Sequence, residues 1–196
     1  MTEEHGQHSS EPVYLFEQQE VVVGDLQVSG HVLDIGGGGE GVIGQLMGSQ
    51  VVAIDPNRRE LEEAAPGPLK IVMDARELLF LDGAFQTATA FFSLMYIKAV
   101  DHAQVFGEVF RVLGTGARFL IWEMVLPECL DEEKPIAGFP LLVKLPQREI
   151  STGYGTRWPE QLQDLAYYVA LAEKAGFEVV EGTEEGRQLF LELRKP

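Results

Sequence analysis

His31-Val-Leu-Asp-Ile-Gly-Gly-Gly-Gly-Glu-Gly-Val-Ile-Gly-Gln-Leu46 decides how the rest of this 196-residue chain is read. Val32 to Ile35 has the continuous apolar character of a buried parallel strand, Gly36 to Gly41 is a glycine turn, and a helix follows. Glycines adopt positive φ at no steric cost and, lacking Cβ, let a ligand approach the backbone. An acid, Asp34, stands at the strand end just before them.

Outward from this stretch the same unit repeats. Val51 to Asp55 is a second apolar run ending in an acid, followed by a helix over Pro56 to Ala65 with proline near its start. Leu69 to Asp74 is a third strand, again ending in an acid. Phe85 to Ser93 is a fourth, Asp101 to Leu113 has helical spacing at Val105, Val109 and Val112, and Ala117 to Val125 is a fifth strand. Alternation with short links predicts a doubly wound α/β fold with helices on both faces of a mostly parallel sheet. Glu160 to Ala175 reads as a helix stopped by Gly176. Phe177 to Glu181 and Gln188 to Leu193 then complete a seven-stranded sheet with an antiparallel final strand. Residues 1–10 are polar and read as a disordered tail, with His5 and His8 as solvated side chains, and residues 11–196 as one domain. The pattern breaks at 127–158, which reads either as an inserted lid or substrate-binding segment or as a hairpin packed on the sheet edge.

Composition narrows the function. A formal charge of −16 opposes nucleic acid as a partner. The single cysteine, Cys129, excludes an intrachain disulfide and a cysteine-rich metal site, and no metal is expected. There is no basic region followed by an apolar run at the start, and no apolar run near the roughly 20 residues that cross a bilayer, so the expectation is a cytoplasmic protein with no membrane partner.

In open α/β sheets, ligands bind at the carboxyl ends of the strands. Asp34, Asp55 and Asp74 all fall there. Gly36-Gly-Gly38-Gly-Glu-Gly41 also fits G-x-G-x-x-G, and Asp55 lies near the spacing of a ribose-binding acid, so an NAD-type oxidoreductase is one reading. Asp34 opposes it, because a carboxylate beside the turn repels a pyrophosphate and welcomes a cationic ligand.

Val32-Leu-Asp34-Ile-Gly36-Gly-Gly38, Val52-Ala-Ile-Asp55 and Met73-Asp74-Ala75 together resemble the motifs of the class I S-adenosylmethionine-dependent methyltransferases, whose fold is Rossmann-like. Glu108 to Glu123 resembles their "E-x-x-R-V-L-x-P-G-G" helix and strand, with Thr115 in place of the proline, and Ala172-Glu-Lys-Ala-Gly-Phe177 the turn before their sixth strand. The resemblance implies S-adenosyl-L-methionine as cofactor. Gly36 and Gly38 would pass under its methionine part, Asp34 would hold its amino group, directly or through water, and Asp55 would accept both ribose hydroxyls. Asp74 and the Ala75 backbone would meet the adenine amine, Pro56 and Met73 would flank the ring, and Ser93 would face the sulfonium. Glu40 departs from the family's glycine pattern and is expected to cap the following helix or touch the cofactor.

The implied activity is methyl transfer to an unidentified small-molecule acceptor, with a non-catalytic S-adenosylmethionine-binding protein as a further alternative. Candidates for a general base are His102, Glu123, Tyr96 and Tyr154. Tyr14, Tyr96, Tyr154 and Trp158 are candidates for the acceptor wall, and at most one of Tyr167 and Tyr168 is expected to face inward.

Overall fold

A computed structural model describes residues 11–196; the expected tail, with His5 and His8, lies outside the described residues. Strands β1 (Val13–Leu15) and β2 (Gln19–Val22) precede β3 (Val32–Ile35), which leads through the glycine turn into α1 (Val42–Met47). Then come β4 (Val51–Asp55), α2 (Arg58–Glu63), β5 (Leu69–Val72), β6 (Phe85–Phe91), α3 (Ala99–Val112) and β7 (Leu113–Met124). β8 (Ile136–Leu145) and β9 (Arg148–Arg157) form a hairpin, and α4 (Leu165–Ala175), β10 (Glu178–Glu185) and β11 (Gln188–Arg194) complete the chain.

The large sheet has the order β10-β11-β7-β6-β3-β4-β5. β3 pairs in parallel with both β4 and β6, and only β11, antiparallel to β7 and β10, breaks the common direction among direct neighbours. From β3 the chain winds outward to β5, then returns to the other side of β3 as β6. The strand order therefore reverses between β3 and β6, the place where open sheets part to form a crevice.

Alternate residues feed two cores. Leu33, Ile35, Phe119 and Ile121 pack with Val105, Phe106 and Val109 of α3 and with Tyr168 and Ala172 of α4. Val32, Val51, Leu120, Trp122 and Met124 face the other way, toward Val42 and Ile43 of α1 and Leu61 of α2. These two helices are short, and much of that face is covered by a second, smaller sheet in which β8 pairs with β9 on one side and with β1 and β2 on the other. Ala137, Phe139, Leu141 and Val143 of β8 belong to the same core as Trp122. The 127–158 segment thus includes a hairpin that lies on the face of the large sheet rather than at its edge, and helices alone do not cover that face. Phe16 stacks on Phe139 at 4.8 Å, and Tyr14 meets Trp158 edge-on at 5.6 Å, which fastens the N-terminal strands to the hairpin.

Several boundaries differ from expectation. The helix read from Glu160 starts at Leu165, because Asp164 caps it by accepting from the Tyr167 N–H at 2.9 Å. The helix read from Asp101 starts at Ala99, with Lys98 at the cap position and no side-chain cap bond. The fourth strand stops at Phe91, because Phe92 takes φ 48°. No helix among the described residues is long and apolar enough to cross a membrane.

Because Phe139 is 1% exposed and sits between the two sheets, Phe139→Ala is expected to cost about 3–5 kcal/mol. Urea unfolding followed by circular dichroism should show one transition at lower denaturant. Two separate transitions would mean that the hairpin sheet folds independently of the large one.

Candidate functional site

The crevice is built by a close approach. Gly36 has φ 71°, and a Cβ there would lie 2.4 Å from the Ser93 Cβ. Ser93 is brought over Gly36 by Phe92, whose left-handed backbone is costly for a bulky residue and is maintained only by its surroundings. The Phe92 N–H donates to the Trp122 carbonyl at 2.8 Å, and its ring stacks on Tyr154 at 5.4 Å. Ser93 Oγ donates to the Ile35 carbonyl at 2.6 Å.

Between these strand ends lies a cavity of about 550 Å³. Gly36, Gly38, Gly39 and Gly41 line its floor, Pro56, Met73 and Ala75 one side, and Ser93, Tyr96 and Tyr154 the other. A Cβ on Gly38 would come 2.8 Å from Asp55 Oδ2 and 2.6 Å from the Glu60 Cβ, so only glycine fits. Among the described residues, four carboxylates line the cavity (Glu40, Asp55, Glu60 and Asp74), and no lysine or arginine does. Among the described residues, no group of three or more metal-ligating side chains is placed to hold a metal ion.

Asp55 is half-buried, and desolvation pushes its carboxyl up, while the N–H groups of Asn57, 2.8 Å away, and Gly38 pull it down. Asp74 is held instead by Arg76, at 2.7 Å, and hydrogen bonding to that guanidinium pulls its carboxyl below the usual range. Arg76 also reaches Asp101 of α3 at 3.0 Å.

Asp34 stands apart from these. It lies beneath the turn, where a Cβ on Gly37 would meet its Oδ2 at 2.6 Å, and it is not part of the cavity wall. It is 2% exposed, and Thr89 Oγ1, its neighbour in the β3–β6 register, donates to its Oδ1 at 2.7 Å. Burial pushes its carboxyl up to about 7 against the pull of that hydrogen bond. An acid whose charged form burial disfavours repels a pyrophosphate weakly from behind the turn. The repulsion expected from Asp34 comes from the four lining carboxylates instead.

The base candidates separate. His102 is buried in α3, with Nδ1 2.8 Å from the Tyr167 hydroxyl and Nε2 3.0 Å from the Leu94 carbonyl, and burial lowers its pKa. Glu123 is fully buried, accepts from the N–H groups of Met95 and Met124, and is pushed up to about 8 by desolvation. Neither lines the cavity. Tyr96 and Tyr154 do; burial pushes the Tyr96 phenol up to about 12 and raises Tyr154 as well. Glu40 does not cap α1, whose cap residue is Gly41; its carboxylate accepts from the Thr152 hydroxyl of β9. Tyr14, Tyr167 and Tyr168 lie away from the cavity; Tyr168 is the inward-facing member of its pair. The sequence reading passed over Asn57, the cap of α2, and Glu60 in its first turn, although their closeness to Asp55 was a signal. Nothing local pointed to Gly153 or Phe92.

Comparison with known proteins agrees with this geometry. A family profile described as a methyltransferase domain matches residues 33–121. The methyltransferase phqN of Penicillium fellutanum is 26% identical over 172 residues, which are 80% of this chain and 48% of that protein. The sterol 4-C-methyltransferase strm-1 of Caenorhabditis elegans is 30% identical over 120 residues, 56% of this chain and 35% of that protein. The chain therefore spans about half or less of the length of these curated relatives. A solved structure of an S-adenosylmethionine-dependent methyltransferase from Methanosarcina mazei superposes with a TM-score of 0.60 at 19% identity, covering 87% of this chain and 94% of that one.

The buried acid makes a pH prediction. The folded state keeps the Asp34 proton up to about pH 7, whereas the unfolded chain releases it near 3.8, so stability is lost as pH rises through that window. Between pH 8 and pH 5, Tm should rise by about 5 °C more than in Asp34→Asn, which mimics the protonated acid and keeps the Thr89 bond. Parallel Tm profiles for the two proteins would remove Asp34 as the cause.

Proposed function

We propose that the chain is a class I S-adenosylmethionine-dependent methyltransferase, and that it transfers a methyl group from S-adenosylmethionine to a small organic acceptor. The observation that carries this reading is the cavity at the strand-order reversal, with a floor that only glycine permits and, among the described residues, a wall of four carboxylates without a lysine or arginine. A ligand with ammonium and sulfonium charges suits that wall; a dinucleotide, with its pyrophosphate, does not.

When bound, S-adenosylmethionine supplies a methyl group on a positively charged sulfur, which keeps the electron pair of the broken C–S bond. The chain's residues would hold and orient it. Asp55 would accept two ribose hydroxyls, a bidentate task for which its remaining lone pairs are free. Asp74, fixed by Arg76, and the Ala75 backbone would meet the adenine edge, with Pro56 and Met73 against the ring faces. Gly36 and Gly38 would let the methionine part lie against the backbone. Asp34, behind the turn, would act on its ammonium through the loop or through water, and Ser93 would border the sulfonium. The β8–β9 hairpin would serve as a cover, because Gly153 and Tyr154 line the cavity and Thr152 is bonded to Glu40.

His102 and Glu123 are tied into the fold, and a phenol pushed up to about 12 stays protonated at neutral pH. Tyr96 is thus a hydrogen-bond donor to the acceptor rather than a base. The acceptor would bring a lone pair that is already free, or release its proton to water or to a carboxylate of the wall, and the enzyme's main part is alignment and exclusion of water. The relatives' names include a sterol methyltransferase, which supports a small organic acceptor. That His102, Glu123 and Tyr96 offer no free base beside the cavity favours a second reading, donor binding without turnover.

Calorimetric titration with S-adenosylmethionine, S-adenosylhomocysteine and NAD tests the first part. Micromolar binding of the first two is expected, weakened about a hundredfold in Asp55→Ala, the scale of two hydrogen bonds to a charged group. Binding of NAD instead would overturn the reading. Donor binding without release of S-adenosylhomocysteine across an acceptor screen would bring the second reading forward.

A further inference from the structure

A second, more open cavity of about 720 Å³ adjoins the first and shares Tyr96 and Ile97 with it. Strand β9 passes both: Gly153 and Tyr154 line the first, while Gly155, Thr156 and Arg157 line the second. The strand is pinned at the boundary. The Gly155 N–H donates to the Tyr96 hydroxyl at 3.3 Å, and Thr156 Oγ1 donates to the Met95 carbonyl at 3.0 Å. A molecule in the second cavity therefore meets one in the first across Tyr96.

The two linings differ in charge. The first carries four acids and no base, whereas the second carries Lys98 and Arg157 against a single acid, Glu160. Arg157 pairs with Glu11 at 2.7 Å, but both side chains are exposed and solvent screens the pair. Lys98 has no carboxylate partner among the described residues. That is notable in a chain with 31 acids and 15 lysines and arginines. An anionic ligand is therefore repelled from the first cavity and drawn to the second, and a cationic one is sorted the opposite way.

Besides these charges and the polar Thr156 and Gln163, the second lining is largely apolar. Met95, Leu126, Ile136 and Trp158 form its interior. The Trp158 indole is held by donating its N–H to the Lys134 carbonyl at 2.6 Å, which fixes the ring as a flat wall. At the rim, Val100 is 82% exposed and Tyr96 55%. Apolar side chains left in water around an apolar hollow mark a ligand site, and this volume suits a drug-sized molecule.

We propose that this second cavity binds the methyl acceptor, and that the acceptor is an apolar, ring-bearing molecule with one acidic group directed to Lys98. The inference rests on the reading of the first cavity as the donor site. The donor-side acids repel the acceptor's anion, so the acidic group points outward and the rest of the molecule faces Tyr96 and the donor. Lys98 acts here as a specificity residue.

The test uses the whole chain and a pair of probes of the same shape, 2-naphthoate and 2-naphthamide, titrated calorimetrically with and without S-adenosylhomocysteine. Naphthoate should bind about tenfold more tightly than naphthamide, the scale of one charged hydrogen bond. Lys98→Gln should remove that difference while leaving naphthamide and S-adenosylhomocysteine affinities unchanged. Equal binding of the two probes to the unaltered protein would overturn the acidic group. A naphthoate preference that survives Lys98→Gln would overturn the location, and binding of neither probe would overturn the whole proposal. If the naphthoate pattern holds but S-adenosylhomocysteine does not bind, the donor reading fails and the acceptor role with it, an outcome distinct from failure of the second cavity.

Discussion

Gly36 lies so close beneath Ser93 that a methyl group on it would come 2.4 Å from the Ser93 Cβ. Strands β3 and β6 can run side by side to their ends only because one of them finishes in a residue without a side chain. The hydrogen bond from Ser93 to the Ile35 carbonyl then holds the closure. Past that point the strands' continuations diverge, one into the glycine turn and the other through the left-handed Phe92 into the turn that carries Tyr96. The cavity is the space between those two departures. The strain at Phe92 is supported from outside the large sheet, by the stacked Tyr154 ring of the hairpin. Cavity and hairpin are thus one mechanical unit.

Electrostatics gives the site its second organising feature. Acids appear here in two roles that burial separates. Asp55, Glu60, Glu40 and Asp74 are partly solvated at the wall and set the sign of the cavity. Asp34 and Glu123 are sealed behind it, carry raised pKa values and bond to neighbouring strands and turns. A buried carboxyl that shares a proton costs less than a buried charge. It can therefore serve as a hydrogen-bonding bracket between strands, as the Thr89–Asp34 bond does between β6 and β3. Arg76 adds a link of another kind, holding Asp74 at the cavity and Asp101 on α3 together at the surface.

The sequence by itself determined the succession of strands and helices along the chain, the glycine turn, and the position of Asp55 and Asp74 at strand ends, because these depend on short-range patterns. An apolar run read as a strand and an acid at its end stay together whatever packs around them. Asp34 was placed correctly in the chain but not in space: whether the third residue of a strand faces a cavity or the sheet interior depends on the neighbouring strand, here Thr89. His102 and Glu123 looked like candidates because they lie close in sequence to strand ends. Only the packing of α3 against α4, and of β7 against the 94–96 turn, decided that their polar atoms were already engaged. The hairpin was the least legible part. Its alternation of exposed and buried residues was readable as strands, but which face of the large sheet it covers, and that it brings Tyr154 onto Phe92 and Thr152 onto Glu40, are contacts between residues more than fifty positions apart. Local propensity carries no information about such contacts, and only tertiary packing supplies it.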